Sequence, residues 1–258
     1  MNIFRNKVQV VALAALLGIA PFSLANTTQA GEYDTQIQSR VEQKLSSNKD
    51  FKDVRSTVEN GVVTLSGSVN TYREKLDAGK QARKSDKEVK EVRNLIEVSP
   101  TVPDAQLQKT LARRIADDRI GYYDEAFNAI SVNVHNGVAT LSGYAADYPS
   151  YNDALALAEN TKGVKDVVDN VRVLPLSSFD NSLRFRLYRA IYGNSVLSKY
   201  AMNPVRPIRI VVDNGHIALF GKVDSTMDKE IAGIEANRVF GGFSVENHLT
   251  TPNQVVDR

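Results

Sequence analysis

Apolar residues recur along this chain with the period of a helix, then with the period of a strand, and the whole pattern occurs three times. An aspartate precedes each helical series: Asp34 before Ile37, Val41 and Leu45; Asp104 before Leu107, Leu111 and Ile115; Asp180 before Leu183, Leu187 and Ile191. Spacing of i, i+4, i+8 defines one face of a helix, and an aspartate at its start is expected to be the N-cap. Alternating segments follow, carried by Val54, Ser56 and Val58, by Ile130, Val132 and Val134, and by Ile208, Ile210 and Val212. Alternation predicts half-buried strands.

Each strand runs into an Asn-Gly pair: Asn60-Gly61, Asn136-Gly137 and Asn214-Gly215. Both residues tolerate the positive φ of a tight hairpin turn. A second strand is expected over Val63–Leu65, Ala139–Leu141 and Ile217–Leu219, closing at Gly67, Gly143 and Gly221. Alanine pairs one turn apart then predict a second helix lying close to the sheet: Ala78 and Ala82, Ala154 and Ala158, Ala232 and Ala236. A last strand is expected near Val92–Val98, Val167–Val173 and Val245–Thr250. The turn glycines lie 76 and 78 residues apart.

The expected fold class is therefore α+β: three tandem αββαβ modules, each a small three-stranded mixed sheet with two helices on one face. Their expected bounds are 31–99, 103–174 and 178–250. The linkers, Ser99–Pro103 and Leu174–Ser178, are short and carry proline, which predicts modules in contact. Asn94 and Asn170 are matched near the last strand of the first two modules. The third departs, with His216 and Phe220 replacing shared residues and Gly241-Gly242-Phe243 expected to shift its last strand by one residue.

Residues 1–25 have a different pattern. Arg5 and Lys7 precede an apolar run from Val8 to Ala20, Pro21 breaks it, and Ser23-Leu24-Ala25 offers a small-x-small cleavage point, with a second at Ala30. The run is too short to span a bilayer. This predicts a cleaved secretory signal and a periplasmic protein, and the absence of cysteine rules out an N-terminal lipid anchor on such a residue. Loss of Arg5 and Lys7 takes the formal charge from +2 to zero. A neutral exported chain is not expected to bind nucleic acid.

Chemistry is sparse. With Cys 0, thiolate nucleophiles, disulfides and Cys-ligated metals are excluded. His135, His216 and His248 lack metal-ligand spacing, and His135 stands where the other repeats have Glu59 and Asp213. Ser66 and Ser142 precede glycine but lie outside any G-x-S-x-G elbow. No glycine-rich phosphate loop occurs. Neither an enzyme, a cofactor nor a metal is expected.

The repeated V-x-N-G-x-x-x-L-x-G segment, its flanking helices and the export signal resemble the BON domain, in three copies over residues 31–250. The resemblance implies cell-envelope work: contact with phospholipid surfaces, osmotic-stress tolerance and envelope integrity, with chaperone-like behaviour in some relatives. It supplies no catalytic residue set. The Asn-Gly and distal glycine positions are structural.

One segment stands out in charge. Over residues 179–209, Arg184, Arg186, Arg189, Lys199, Arg206 and Arg209 face only Asp180. On its helix, Phe179, Leu183, Leu187, Ala190 and Ile191 form the expected core stripe, and Phe185, Tyr188 and Tyr192 a second stripe flanked by Arg184 and Arg189. Two readings stay open for Arg184, Phe185, Tyr188, Arg189 and Tyr192: contact with an anionic phospholipid surface or a periplasmic or outer-membrane protein, or packing against the middle module. A second aromatic group, Tyr122, Tyr123, Tyr144, Tyr148 and Tyr151, falls in the middle module, the first two in a loop six residues longer than its counterpart. A domain contact or an external ligand would each suit it.

Overall fold

The computed structural model describes residues 25–118, 123–203 and 207–252. The first module contains α1 (Ala25–Ser46), a 3₁₀ turn (Lys49–Phe51), β1 (Val54–Glu59), β2 (Val62–Val69), α2 (Tyr72–Arg83), β3 (Glu91–Asn94) and β4 (Glu97–Val98). The middle module contains α3 (Asp104–Asp117), a 3₁₀ turn (Tyr123–Phe127), β5 (Ala129–His135), β6 (Val138–Ala145), α4 (Tyr148–Glu159) and β7 (Asp166–Val173). The third contains α5 (Ser178–Tyr192), the short α6 (Ser198–Ala201), β8 (Ile208–Asp213), β9 (His216–Gly221), α7 (Thr226–Arg238) and β10 (Ser244–Asn247). The signal expected at the N-terminus lies outside the described residues, apart from the start of α1.

Each sheet follows from its sequence pattern. The Asn-Gly turn pairs the first two strands antiparallel, and the second helix crosses over so that the last strand returns parallel to the second. A parallel return needs such a crossover, because a two-residue turn can only reverse the chain. The alanine pairs are at most 3% exposed, so α2, α4 and α7 lie close on their sheets. This is the α+β arrangement of three modules that the repeat predicts.

Turn geometry agrees with the Asn-Gly reading. Asn60, Asn136 and Asn214 have φ of 53, 53 and 51°, and Gly61, Gly137 and Gly215 have 78, 80 and 79°. The distal glycines are required for a different reason. A Cβ on Gly67, Gly143 or Gly221 would lie 2.0, 2.1 or 1.9 Å from the carbonyl oxygen of Asp53, Ala129 or Pro207.

The aspartates expected as N-caps act elsewhere. Asp34 lies well inside α1, Asp104 is the first residue of α3 after Pro103, and Asp180 follows the N-cap Ser177, whose hydroxyl accepts from the Asp180 N–H. Their carboxylates reach across to the hairpins. Asp34 accepts from the Asn60 and Gly61 N–H groups at 2.6 and 2.8 Å, Asp104 from Asn136 and Gly137 at 2.7 and 2.8 Å, and Asp180 from Asn214 and Gly215 at 3.0 and 2.8 Å. A left-handed turn directs consecutive N–H groups to one side, where a carboxylate meets both in charge-assisted bonds. The repeat therefore ties its first helix to its hairpin.

The last strands also need realignment. Strand pairing sets Asn94 opposite Leu65, Asp169 opposite Leu141 and Asn247 opposite Leu219. Asp169, not Asn170, is the counterpart of Asn94. The length change falls between the first module and the other two, so the third is not the shifted copy. In the outer modules the Asn side chain donates to the Lys75 or Lys229 carbonyl at 2.7 Å and lies against Gly79 or Gly233. In the middle module Leu155 replaces that glycine, and the Tyr151 hydroxyl donates to Asp169 instead.

Candidate functional site

The five residues singled out on α5 divide between interior, junction and surface. Arg184 is 4% exposed, and its Nη2 donates to the Val212 carbonyl at 2.8 Å. Burial lowers its pKa, opposed by the nearby carboxylates Asp180 and Asp213. Tyr192 is buried too: its hydroxyl donates to the Ile208 carbonyl at 2.7 Å and accepts from the Ile208 N–H at 3.0 Å. Neither can meet an external surface while the module is folded. Phe185 and Tyr188 pack edge-on against Phe127 of the middle module, with ring centroids 5.3 and 6.3 Å apart. Arg189 is exposed. The aromatic stripe is thus a domain contact in this arrangement, because Phe127 gives it an apolar partner inside the molecule.

The contact extends across the open faces of the two sheets. Tyr144 meets Phe220 at 5.9 Å, Phe220 stacks on His248 at 5.0 Å, and Arg172 pairs with Asp213 at 2.6 Å. Arg209 donates to the Glu125 carbonyl. Ala126 and Phe127 belong to the apolar cluster of the third module, not of their own. Sequence reading placed the loop's role on Tyr122 and Tyr123. Tyr122 and the side chain of Tyr123 lie outside the described residues, and the observed anchor is Phe127. Of the remaining tyrosines, Tyr148 is exposed and packs edge-on to Tyr151 at 6.4 Å.

A surface feature that the pattern did not reveal lies at the hairpin end of the third module. Phe179, expected in the core, is half exposed, while Phe240 and Phe243 are 89% and 75% exposed. Phe179 and Arg186 flank Gly241, where a Cβ would meet Arg186 Nη2 at 3.2 Å and Phe179 Cζ at 3.5 Å. Phe243 lies over Gly215 and packs edge-on to His216 at 5.9 Å. Strand register aligns Phe243 with Lys90 and Lys165, each the residue before the last strand and each donating its N–H to the turn glycine carbonyl at 2.8–2.9 Å. Phe240 aligns in the same way with Lys87 and Lys162. Bases at two positions in two modules have become phenylalanines in the third.

Arg186 changes correspondingly. It occupies the helical position of Arg40, which pairs with Asp86 in the loop before β3. The third module has Gly241-Gly242 in that loop, and among the described residues Arg186 makes a 3.4 Å hydrogen bond to the Ser182 carbonyl. Neither Arg186 nor Arg189 has a carboxylate at ion-pair distance among the described residues. The hairpin end of the third module thus presents three phenyl rings beside the Arg186 guanidinium group, with Arg189 a turn further along α5. Both the match of Phe240 and Phe243 to the lysines and their exposure depend on the alignment of β10, which the sequence pattern left open.

No group of three or more metal-ligating side chains occurs among the described residues. His135 contacts Asn136, His216 contacts Ser244 Oγ at 2.8 Å, and His248 contacts Glu246 at 3.0 Å.

Three helix–hairpin–helix–strand units in tandem define a class of modular α+β protein. The chain belongs to the BON domain family, whose model matches residues 33–100, 103–175 and 194–253. A relative from Anaplasma centrale, described as an uncharacterized protein in the gshII 5'region, is 27% identical over 143 residues, covering 54% of this chain and 94% of its own. Among solved structures, CdsD, described as a structural protein of the type III secretion system of Chlamydia trachomatis, is 17% identical over 84% of this chain and 94% of its own, with a TM-score of 0.24. Its C-terminal domain is 18% identical over 83% of this chain and 96% of its own, again with a TM-score of 0.24.

Proposed function

We propose that the protein is a non-enzymatic, exported envelope protein that docks on anionic phospholipid surfaces through the hairpin end of its third module, supporting envelope integrity under osmotic stress. Family membership supports the envelope-associated role. The observation that carries the lipid reading is the replacement of Lys87 and Lys90, and of Lys162 and Lys165, by the exposed Phe240 and Phe243. Phenyl rings inserted at the acyl boundary supply the apolar part of interfacial binding, and Arg186 and Arg189 supply the electrostatic part. The binding face therefore moves from the Arg184–Tyr192 stripe to Phe179, Arg186, Arg189, Phe240 and Phe243.

Co-sedimentation with vesicles tests this. The parent should bind phosphatidylglycerol-containing vesicles and should bind zwitterionic vesicles less. Binding should weaken with salt, since exposed charges are screened beyond roughly 10 Å at 0.1 M. Arg186→Ser with Arg189→Ser should cost about 2 kcal/mol, at about 1 kcal/mol per charge near an anionic surface. Phe240→Ser with Phe243→Ser should remove the remainder while leaving the melting transition in place. A parent that ignores anionic vesicles at low salt sinks the lipid reading and leaves the tip as a contact for a periplasmic or outer-membrane protein.

A further inference from the structure

The chain contains three Asn-Gly pairs, and all three are hairpin turns: Asn60-Gly61, Asn136-Gly137 and Asn214-Gly215. Asn-Gly is the pair most prone to spontaneous loss of its side-chain amide, because glycine has no Cβ to obstruct attack by its own nitrogen on the asparagine Cγ. In each turn the asparagine is exposed and the glycine buried. The reactive amide therefore faces water, while the nitrogen that would attack it is held inside.

The same device holds that nitrogen in all three modules. The Gly61, Gly137 and Gly215 N–H groups each donate to a carboxylate oxygen, of Asp34, Asp104 and Asp180, at 2.8 Å. The second carboxylate oxygen takes the Asn N–H, so the peptide units on both sides of the asparagine are fixed. Attack requires the glycine nitrogen to lose its proton. A carboxylate accepts from the neutral N–H but repels an amide anion, so it opposes that loss. The three turns are not equally guarded. Asp180 is 1% exposed, whereas Asp34 and Asp104 are half-buried. Asn214 Nδ2 donates to the Asp213 carboxylate at 2.9 Å, and Asn136 Nδ2 contacts His135 Nε2 at 3.1 Å. The Asn60 side-chain amide has no such contact among the described residues.

We propose that these aspartates are chemical guards of the Asn-Gly turns, and that Asn60 is the deamidation site that opens first and Asn214 the one that opens last. In an unguarded turn, hydroxide takes the Gly61 proton and the nitrogen attacks the Asn60 Cγ. The bond from Cγ to the side-chain nitrogen breaks, and ammonia leaves with a proton from water, which restores the hydroxide. Water then opens the cyclic imide at either carbonyl, to aspartate or to isoaspartate. Either product sets a new carboxylate against Asp34, beside Glu59 and with Glu88 lining the same hollow. Isoaspartate also lengthens the backbone by a methylene. Both changes oppose the bonds from Asp34 to the turn, so the modification releases α1 from its hairpin. The guard stands on the turn geometry and does not depend on the lipid reading.

Peptide mapping by mass spectrometry of the intact protein, incubated at mildly alkaline pH, tests this, since exchange of the amide for an acid raises the mass. In the parent the rates should fall in the order Asn60, Asn136, Asn214, and should converge in concentrated urea. Asp34→Ala should speed the reaction at Asn60 by about tenfold or more, the factor that about 1.4 kcal/mol supplies, and leave Asn136 and Asn214 unchanged. Val41→Ala, in the core of the same module, destabilises it without removing the guard and should leave Asn60 slow. An Asp34→Ala rate equal to the parent's overturns the proposal. So does an equal acceleration by Val41→Ala, which would make foldedness alone the protection. If Asp34→Ala does not fold, the parent decides, and an order that does not begin with Asn60 and end with Asn214 overturns it.

Discussion

The two junctions between modules are built from different interactions. Between the first and middle modules the described contacts are mainly polar. Arg73 pairs with Glu159, the Gly163 N–H reaches the Asn70 carbonyl at 3.5 Å, and Tyr72 donates to Asp166 while its ring lies against the middle module's cluster. Between the middle and third modules, Phe127, Phe185 and Tyr188 interlock, Tyr144 meets Phe220, and two residues of the middle loop join the third module's core. The Arg73 side chain is 40% exposed and Glu159 only 9%, so salt screens this pair in part, whereas the phenyl contact carries no charge to screen. The first junction therefore turns on a half-buried ion pair, and the second on an apolar contact among three aromatic rings.

The comparison can be broken most directly at Phe127. Phe127→Ala should cost about 3–5 kcal/mol, the usual range for a buried phenylalanine, and should lower the transition of the third module in a denaturant series. A loss similar to that of a surface substitution would mean that the junction is not held by its apolar contact.

Asp180→Ala is of comparable size and separates module stability from junction stability. It removes two charge-assisted bonds from a carboxylate that is 1% exposed, at about 1.5–3 kcal/mol each. Asp34→Ala removes the same pair of bonds from the more exposed first-module hairpin and should cost less. Equal losses in equilibrium unfolding would show that burial does not strengthen the lock.

At the first junction, Arg73→Ala leaves the buried Glu159 carboxylate without its ion-pair partner and should cost about 1–3 kcal/mol, a difference from the parent that high salt shrinks only in part. Thermal melts at two ionic strengths read this, and an effect as large as that of Phe127→Ala would erase the contrast between the junctions.

The smallest expected effect is alkaline. Burial, reinforced by the hydrogen bond to Asp166, pushes the Tyr72 pKa up to about 12, above the unfolded value of about 10. A pKa raised on folding favours the protonated phenol. Its contribution is complete below about pH 10 and is lost as pH rises through about 12. Tyr200, also raised to about 12 by burial, titrates alongside it within the third module. Parent and Tyr72→Phe should therefore differ in the steepness of their stability loss over that window. Parallel curves would remove Tyr72 from the junction.

Much of the fold was legible because its determinants are local. Asn-Gly needs two residues to specify a turn, a helical face needs a period, and the alanine pairs announce a close helix. The aspartates were legible as recurring positions of the repeat but not as hairpin locks, since their partners lie 26–35 residues away. Asn170 was matched to Asn94 by identity, whereas strand register selects Asp169, with Leu155 in place of glycine as the compensating change. The candidate site was read less well. Arg184 and Tyr192 carry the residue types of a surface site, yet their helix turns them inward onto β8.

Three modules of helix, hairpin, helix and strand, the absence of cysteine chemistry and a basic, aromatic third module are all written in local sequence. Which aromatic residues face solvent and which hold neighbouring modules together follows from tertiary packing. Secondary structure follows from interactions a few residues apart, which a repeat writes out three times. The allocation of an apolar side chain between two neighbouring cores depends on the apolar surface each offers it. For Phe51 and Phe127, equivalent residues in equivalent turns, the outcome differs because only the middle module has a third module's aromatic face to pack against.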